Sequence, residues 1–336
     1  MFNKLYEKLK KFIVNNYKFI LSLLIVFIFC FAEIPYVIYT PGGVVPLENR
    51  IKIENKNDSK GSMNMCYVKM LKGRLPLVLT SFIAKDWDLV KSKDVTLEGE
   101  NIDEMIKMDQ IYMKTSIDNA VQVAYMKSGN EFKITKIDNN IIYIDKNAKT
   151  DIKKYDKILK VDGIPIKNII EIKDILKTKK EGNYVNVLVN RNGKIINTKA
   201  KLYNTSDGLK MGIVFLPTFE YQTNPKVEIK TKEKESGPSG GLMLSLAIYN
   251  SLVQEDITKG DKIVGTGTID ASGNVGEIDG VKYKILGAKK NKADVFICPI
   301  ENFNEVKHLK EKYNLKMEIK GVKTFDEALE FLKNRK

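Results

Sequence analysis

A block of lysines at Lys4, Lys8, Lys10, Lys11 and Lys18 runs into the apolar stretch Phe19 to Ala32, and only Arg50 and Lys52 closely follow it. That pattern predicts an N-terminal transmembrane helix with the N-terminus in the cytoplasm and everything after Glu33 outside. The strict run is shorter than the roughly 20 residues that a bilayer span needs. Ile34, Tyr36, Val37, Ile38 and Tyr39 are expected to extend it into the interface while Lys18 snorkels. A cleaved signal peptide is the rival reading, because Cys30 and Ala32 are small residues before a cut site.

Past this segment, Tyr39-Thr40-Pro41-Gly42-Gly43 reads as a turn, Val44 to Glu54 as extended chain and Asn55 to Ser62 as a polar loop. Val68 to Leu71 and Leu77 to Phe82 are short apolar runs that fit a strand or a helix start. Asp103 to Ser128 has helical spacing, with Met105, Met108, Ile111 and Tyr112 on one stripe and Ala120, Val123 and Ala124 on another. From Glu131 to Leu202 the texture changes to short alternating strands. Asp162-Gly163 and Asn192-Gly193 mark two hairpins, and Ile169 to Lys177 is a short amphipathic helix.

From Val227 onward strands and helices alternate, which predicts a compact α+β or α/β domain. Strands are expected at Val227 to Thr231, Ile263 to Ile269, Val295 to Cys298 and Met317 to Ile319. Helices are expected at Ser239 to Leu252, Val281 to Lys290 and Phe303 to Tyr313, with a last one opened by the capping box Thr324-x-x-Glu327.

Composition refines this picture. The 336 residues, 43% hydrophobic and 29% charged, suffice for more than one domain. The net charge of +14 comes from scattered lysines, without zinc-finger spacing, an aromatic RNA-binding signature or clustered arginines. Such a surface fits an anionic membrane or wall and no nucleic acid. Cys30, Cys66 and Cys298 form neither a disulfide framework nor a zinc site, and no metal is implied.

The candidate chemistry lies in Gly237-Pro238-Ser239-Gly240-Gly241. A serine at a helix head has backbone N–H groups beside it for an oxyanion, and Pro238, Ser239 and Gly240 are the candidate oxyanion backbone. A serine needs a base, yet the chain has one histidine, His308, on a polar helix that suits the surface. Val281, Lys284, Ile285 and Ala288 share one helix face, so Lys284 is expected to be buried and to lose its charge near neutral pH. Lys282 points elsewhere. Thr266, in Val264-Gly265-Thr266-Gly267-Thr268, offers a hydroxyl to hold the lysine amine. Each has a plainer counterpart: a capping serine, a lysine whose head reaches water, a strand threonine. Glu235 and Asp279 read as solvated loop carboxylates.

Three blocks, Ser236 to Leu242, Gly265 to Ile269 and Gly280 to Ala288, together with Val295 to Pro299 and Val322 to Leu332, resemble the Lon-type peptidase domain. The resemblance implies Ser239 as nucleophile, Lys284 as base and Thr266 as support. Ser236 stands where that family usually has aspartate, and no G-x-x-x-x-G-K-[ST] loop exists, so ATP-driven unfolding is not expected. Tyr155 to Gly163, with the helix and strand pair after it, resembles a PDZ domain, although Tyr155 replaces a usual glycine and no clear carboxylate-binding loop stands out. The order of parts, with Tyr39 to Gly42 and Met113-Lys114-Thr115-Ser116 before Ala120, is similar to membrane-anchored PDZ–Lon peptidases of Gram-positive bacteria.

The expected organisation is a tail and anchor at 1–38, an extracellular α/β region at 39–128, a PDZ-like β-rich domain at 129–204 and a Lon-type α/β proteolytic domain at 210–336. The resemblance implies an ATP-independent serine endopeptidase with no cofactor, acting on extracellular or membrane-proximal peptides and proteins, and a homo-oligomer. A non-catalytic membrane-tethered adaptor and a phosphate cradle at Gly237 to Gly241 are the competing readings.

Overall fold

A computed structural model describes residues 2–54, 57–206 and 208–335; the first two positions of the loop read at Asn55 to Ser62 lie outside them. The fold is a mixed α+β one. The chain begins with α1 (Phe2–Asn15), α2 (Tyr17–Phe31), β1 (Glu33–Pro46), β2 (Ile51–Ile53), β3 (Ser62–Arg74), α3 (Leu75–Ser81), β4 (Asp88–Lys91) and α4 (Ile102–Ser128). It divides into two compact units, residues 1–42 with 67–105, and residues 43–66 with 106 onward.

In the first unit, α1 and α2 meet at a bend of 75°. Among the described residues no single helix is long and apolar enough to cross a membrane, although the bent pair together has the length and composition. The expected extension of the helix through Ile34 to Tyr39 does not occur. Those residues belong to β1, where Tyr36 to Tyr39 pair antiparallel with Lys91 to Asp88 of β4, and Val37 and Ile38 are fully buried. β-Branched and aromatic side chains favour that pleated, packed setting. Nor is Pro41-Gly42-Gly43 a turn, since β1 runs through it. A Cβ at Gly42 would sit 2.2 Å from the Tyr67 carbonyl oxygen, so glycine serves close strand approach here. The two ambiguous apolar runs resolve as the second half of β3 and as α3.

The second unit holds two sheets of consequence. One is built from β5 (Glu131–Ile144), β6 (Lys157–Val161), β7 (Ile164–Pro165), β8 (Tyr184–Arg191), β9 (Lys194–Lys201), β10 (Tyr203–Thr205), β11 (Gly208–Lys210) and β12 (Ile213–Asn224), with α5 (Ile169–Lys177) between β7 and β8. Its strand order is β12-β5-β6-β8-β9, with β7 on β6 and β10–β11 as a separate pair. Ile141, Ile158, Val161, Ile172, Val185, Val187 and Val189 form its core. Both hairpin dipeptides adopt the left-handed backbone that the tight turn demands, Asp162-Gly163 at φ 45° and 82° and Asn192-Gly193 at 52° and 85°. Tyr155 also takes a positive φ, 70°, which is why glycine is the easier residue there. Its ring carries the Lys107 ammonium at 3.9 Å.

Asp156, 1% exposed, is held by Arg191 through Nε at 2.8 Å and Nη2 at 2.7 Å. Removing the guanidinium strands a buried carboxylate. Arg191→Ala is therefore expected to destabilise the chain by about 3 kcal/mol, read by urea denaturation.

The other sheet follows β13 (Val227–Ile229), which pairs with β2. This part of the chain runs through α6 (Gly241–Leu252), β14 (Lys262–Gly265), β15 (Thr268–Ile269), β16 (Val275–Gly276), α7 (Val281–Lys290), β17 (Val295–Pro299), α8 (Phe303–Lys312), β18 (Glu318–Val322) and α9 (Phe325–Asn334), with β15 and β16 as a separate pair outside the sheet. Ser62 to Met65 of β3, β14, β17 and β18 run parallel. Alternation sends Ile263 into the core around α6 and Val264 into the core around α7. The single strand expected over Ile263 to Ile269 is interrupted at Thr266 and Gly267, where the chain turns to meet the head of α6. The last helix is capped by Thr324, whose side chain accepts from the Glu327 N–H at 3.2 Å, while the Glu327 carboxylate bonds the N–H of Lys323, one residue earlier than a capping box requires.

Candidate active site

Ser239 lies in the turn before α6, beyond the end of β14, and is half-buried. Its carbonyl oxygen accepts two hydrogen bonds, from Gly267 N–H at 2.8 Å and from Thr266 Oγ1 at 3.0 Å. Leu242 N–H returns a bond to the Gly267 carbonyl at 3.0 Å, so the serine backbone is fixed on both sides. Thr266 thus spends its hydroxyl proton on Ser239 and not on the lysine amine, the partner expected from sequence. Only its lone pairs remain for an amine.

Pro238 cannot be an oxyanion donor, because proline has no N–H. Its carbonyl closes the turn by accepting from Gly241 N–H at 3.2 Å. The N–H groups of Ser239 and Gly240 have no partner among the described residues and remain as candidate donors. The Ser239 hydroxyl likewise has no hydrogen bond there.

Residues far off in sequence hold this turn. Gly237, at φ 91°, donates to the Asp109 carbonyl at 3.0 Å, and Ser116 Oγ donates to the Pro238 carbonyl at 2.7 Å. Both partners lie on α4. A Cβ on Gly241 would fall 2.3 Å from Ser116 Oγ and 2.9 Å from Ile269 Cγ2. Gly241→Ala is expected to cost about 2 kcal/mol, with thermal denaturation as the check. Before this loop, Glu235 ion-pairs with Arg50 and accepts from Lys232 N–H at 2.9 Å. It is a structural clasp, where the sequence suggested a solvated carboxylate.

Lys284 is 4% exposed on α7, in the face with Val281, Ile285 and Ala288 that the spacing predicted. Burial pulls its amine down from 10.5 to about 8, opposed by its neighbours Cys66 and Asp279. Burial also pushes the Cys66 thiol up to about 12, so at neutral pH it is uncharged. Cys66 carried no signal in the sequence. It follows Met65, whose sulfur lies 2.7 Å from where a Gly240 Cβ would be. Consecutive residues of one strand therefore adjoin the Ser239 loop and the lysine. His308 is exposed on α8.

Residues 229–334 match the C-terminal proteolytic domain of Lon protease (S16), and residues 133–202 match the PDZ domain. Lon protease 2 of Borreliella burgdorferi is 24% identical over 209 residues, 60% of this chain and 25% of that protein. Lon protease of Campylobacter jejuni is 34% identical over 98 residues, 29% of this chain and 12% of that protein. The chain thus spans a quarter or less of the length of these relatives. Among solved structures, the PDZ domain of the SdrC-like protein from Listeria innocua covers 23% of this chain at 21% identity, with a TM-score of 0.22.

Proposed function

Because the chain joins a PDZ domain to a serine-protease domain of the Lon (S16) type, we propose that it is an ATP-independent serine endopeptidase in which Lys284 activates Ser239. The neutral amine takes the Ser239 proton, and the oxygen attacks a peptide carbonyl. The N–H groups of Ser239 and Gly240 receive the developing oxyanion. The ammonium then gives its proton to the leaving amine, and water, deprotonated by the same lysine, clears the acyl-enzyme. The observation that carries this reading is the burial of Lys284, which makes an amine a usable base near neutral pH.

The substrates proposed are extracellular or membrane-proximal peptides and proteins, with the chain anchored through α2. β12, which follows the residues matched to the PDZ domain, is one edge strand of the sheet they form. Gly212 precedes it at φ 73°, where a Cβ would come within 2.6 Å of Ala148 Cβ. An extended peptide adding to that edge over Ile213 to Phe215, ahead of the Pro217 and Phe219 backbone groups that α4 side chains occupy, is the binding mode we assign.

The pH profile tests the base. With labelled casein and no nucleotide, kcat/KM is expected to rise about tenfold per unit below pH 8 and to level off above it. A profile flat from pH 6 to 9, or one centred near 6.5 and abolished by His308→Ala, would replace Lys284 as the base.

A further inference from the structure

The apolar surface of the first unit does not end with α2. After Arg74 the chain enters α3, and Leu79, Phe82 and Ile83 are 55%, 75% and 89% exposed. Two consecutive large apolar side chains this bare are unusual on a surface that meets only water. α3 packs against α2, and the Arg74 guanidinium stands 6.0 Å from the Phe31 ring at the end of that helix. None of the side chains of α2 is buried, and most of the apolar ones from Phe19 to Phe31 are 41% to 65% exposed.

Length decides what covers them. The 15 residues of α2 rise about 22 Å, against a hydrocarbon core of about 30 Å. The 75° bend takes α1 off the α2 axis, so α1 does not make up the difference. A bilayer threaded by α2 must therefore reach the elements beside its ends. At the Phe31 end that element is α3, with Phe82 and Ile83 at its tip and the mixed-charge stretch Lys85, Asp86, Asp88, Lys91, Lys93 and Asp94 behind it in sequence. Bare apolar tips at the end of a lipid-threaded helix match the headgroup–acyl boundary of a bilayer.

We infer that α3 and the Phe82–Ile83 tip form a second membrane contact, immersed in the outer interface of the bilayer beside α2. This rests on the anchoring proposed above and extends it from a tether at one point to a seat at two. Two contacts fix the tilt of the unit against the lipid, which a single helix leaves free.

Trp87 is the only tryptophan of the chain, and it lies four residues from Ile83, within about 14 Å along the backbone. The full chain is reconstituted into phosphatidylcholine–phosphatidylglycerol vesicles whose acyl chains are brominated near the headgroup. Quenching of Trp87 emission is expected, as is its loss in Phe82→Ser/Ile83→Ser. A parallel variant, Trp87→Phe with Val26→Trp, reports on α2 alone. Quenching at position 26 without quenching of Trp87 overturns the second contact and leaves the anchor standing. Absence of quenching at both positions overturns the anchor, and the second contact with it. Unchanged Trp87 quenching in the double serine variant overturns the assignment to the tip.

Discussion

Ser239→Ala should lower cleavage of an unstructured polypeptide by about 10⁴-fold or more while leaving the protein as stable as before. The size of the effect follows from the role: without the hydroxyl there is no acyl-enzyme, and only positioning and the two backbone donors remain. The absence of a stability change follows from the structure. The serine hydroxyl bonds nothing among the described residues, whereas the backbone contacts of Ser239, to Thr266 and Gly267, do not depend on its side chain. A surface-like substitution of this sort shifts stability by about 0.5 kcal/mol or less. Turnover and a thermal melt of the same preparation read both halves. Residual cleavage above a hundredth of wild type, in protein free of contaminating protease, would remove Ser239 from the chemistry and favour the adaptor reading.

Lys284→Met should abolish cleavage to a similar degree and at the same time make the protein harder to unfold. The folded amine sits near 8, below its ordinary 10.5. The unfolded chain therefore binds a proton over that window which the folded chain has released, and folding stability climbs as pH rises from about 8 to 10.5. Below pH 8 the full cost of the buried amine is present, about 3 kcal/mol at 1.36 kcal/mol per unit. Methionine has similar length and no charge, so it relieves that cost at pH 7 and relieves little of it near pH 10.5. Urea denaturation of the two proteins at pH 7 and pH 10 measures the difference. Equal stability at pH 7 would show that the wild-type amine reaches water, and the lysine would then be too basic for the role assigned to it.

Much of this was legible because it is periodic or local. The i, i+3, i+4, i+7 stripe placed Lys284 in a core, and both ends of α5 and α7 fall where turn residues and apolar spacing put them. The left-handed turns at Asp162-Gly163 and Asn192-Gly193 were written in two letters each. What stayed hidden is contact across long stretches of chain. Cys66 beside Lys284, and Asp109 and Ser116 beneath the serine loop, belong to segments more than 100 residues from their partners, and no spacing rule reports such pairs. The Met113 to Ser116 motif was the one available hint for Ser116. Ile34 to Tyr39 misled because apolar, β-branched residues after an apolar helix suit a longer helix and a buried strand equally well.

Neighbouring residues of α4 reach in two directions. Thr115 Oγ1 donates to the Pro217 carbonyl on β12 at 2.9 Å, and Ser116 Oγ donates to the Pro238 carbonyl one residue before Ser239. The fully buried Asp118 adds a bond from the Phe219 N–H at 2.7 Å. A single turn of one rod thus ties the edge strand β12 to the turn that holds Ser239. A polypeptide laid along that edge would be severed at a set reach from its held portion, so fragments would come in a few discrete sizes, as if measured on a gauge.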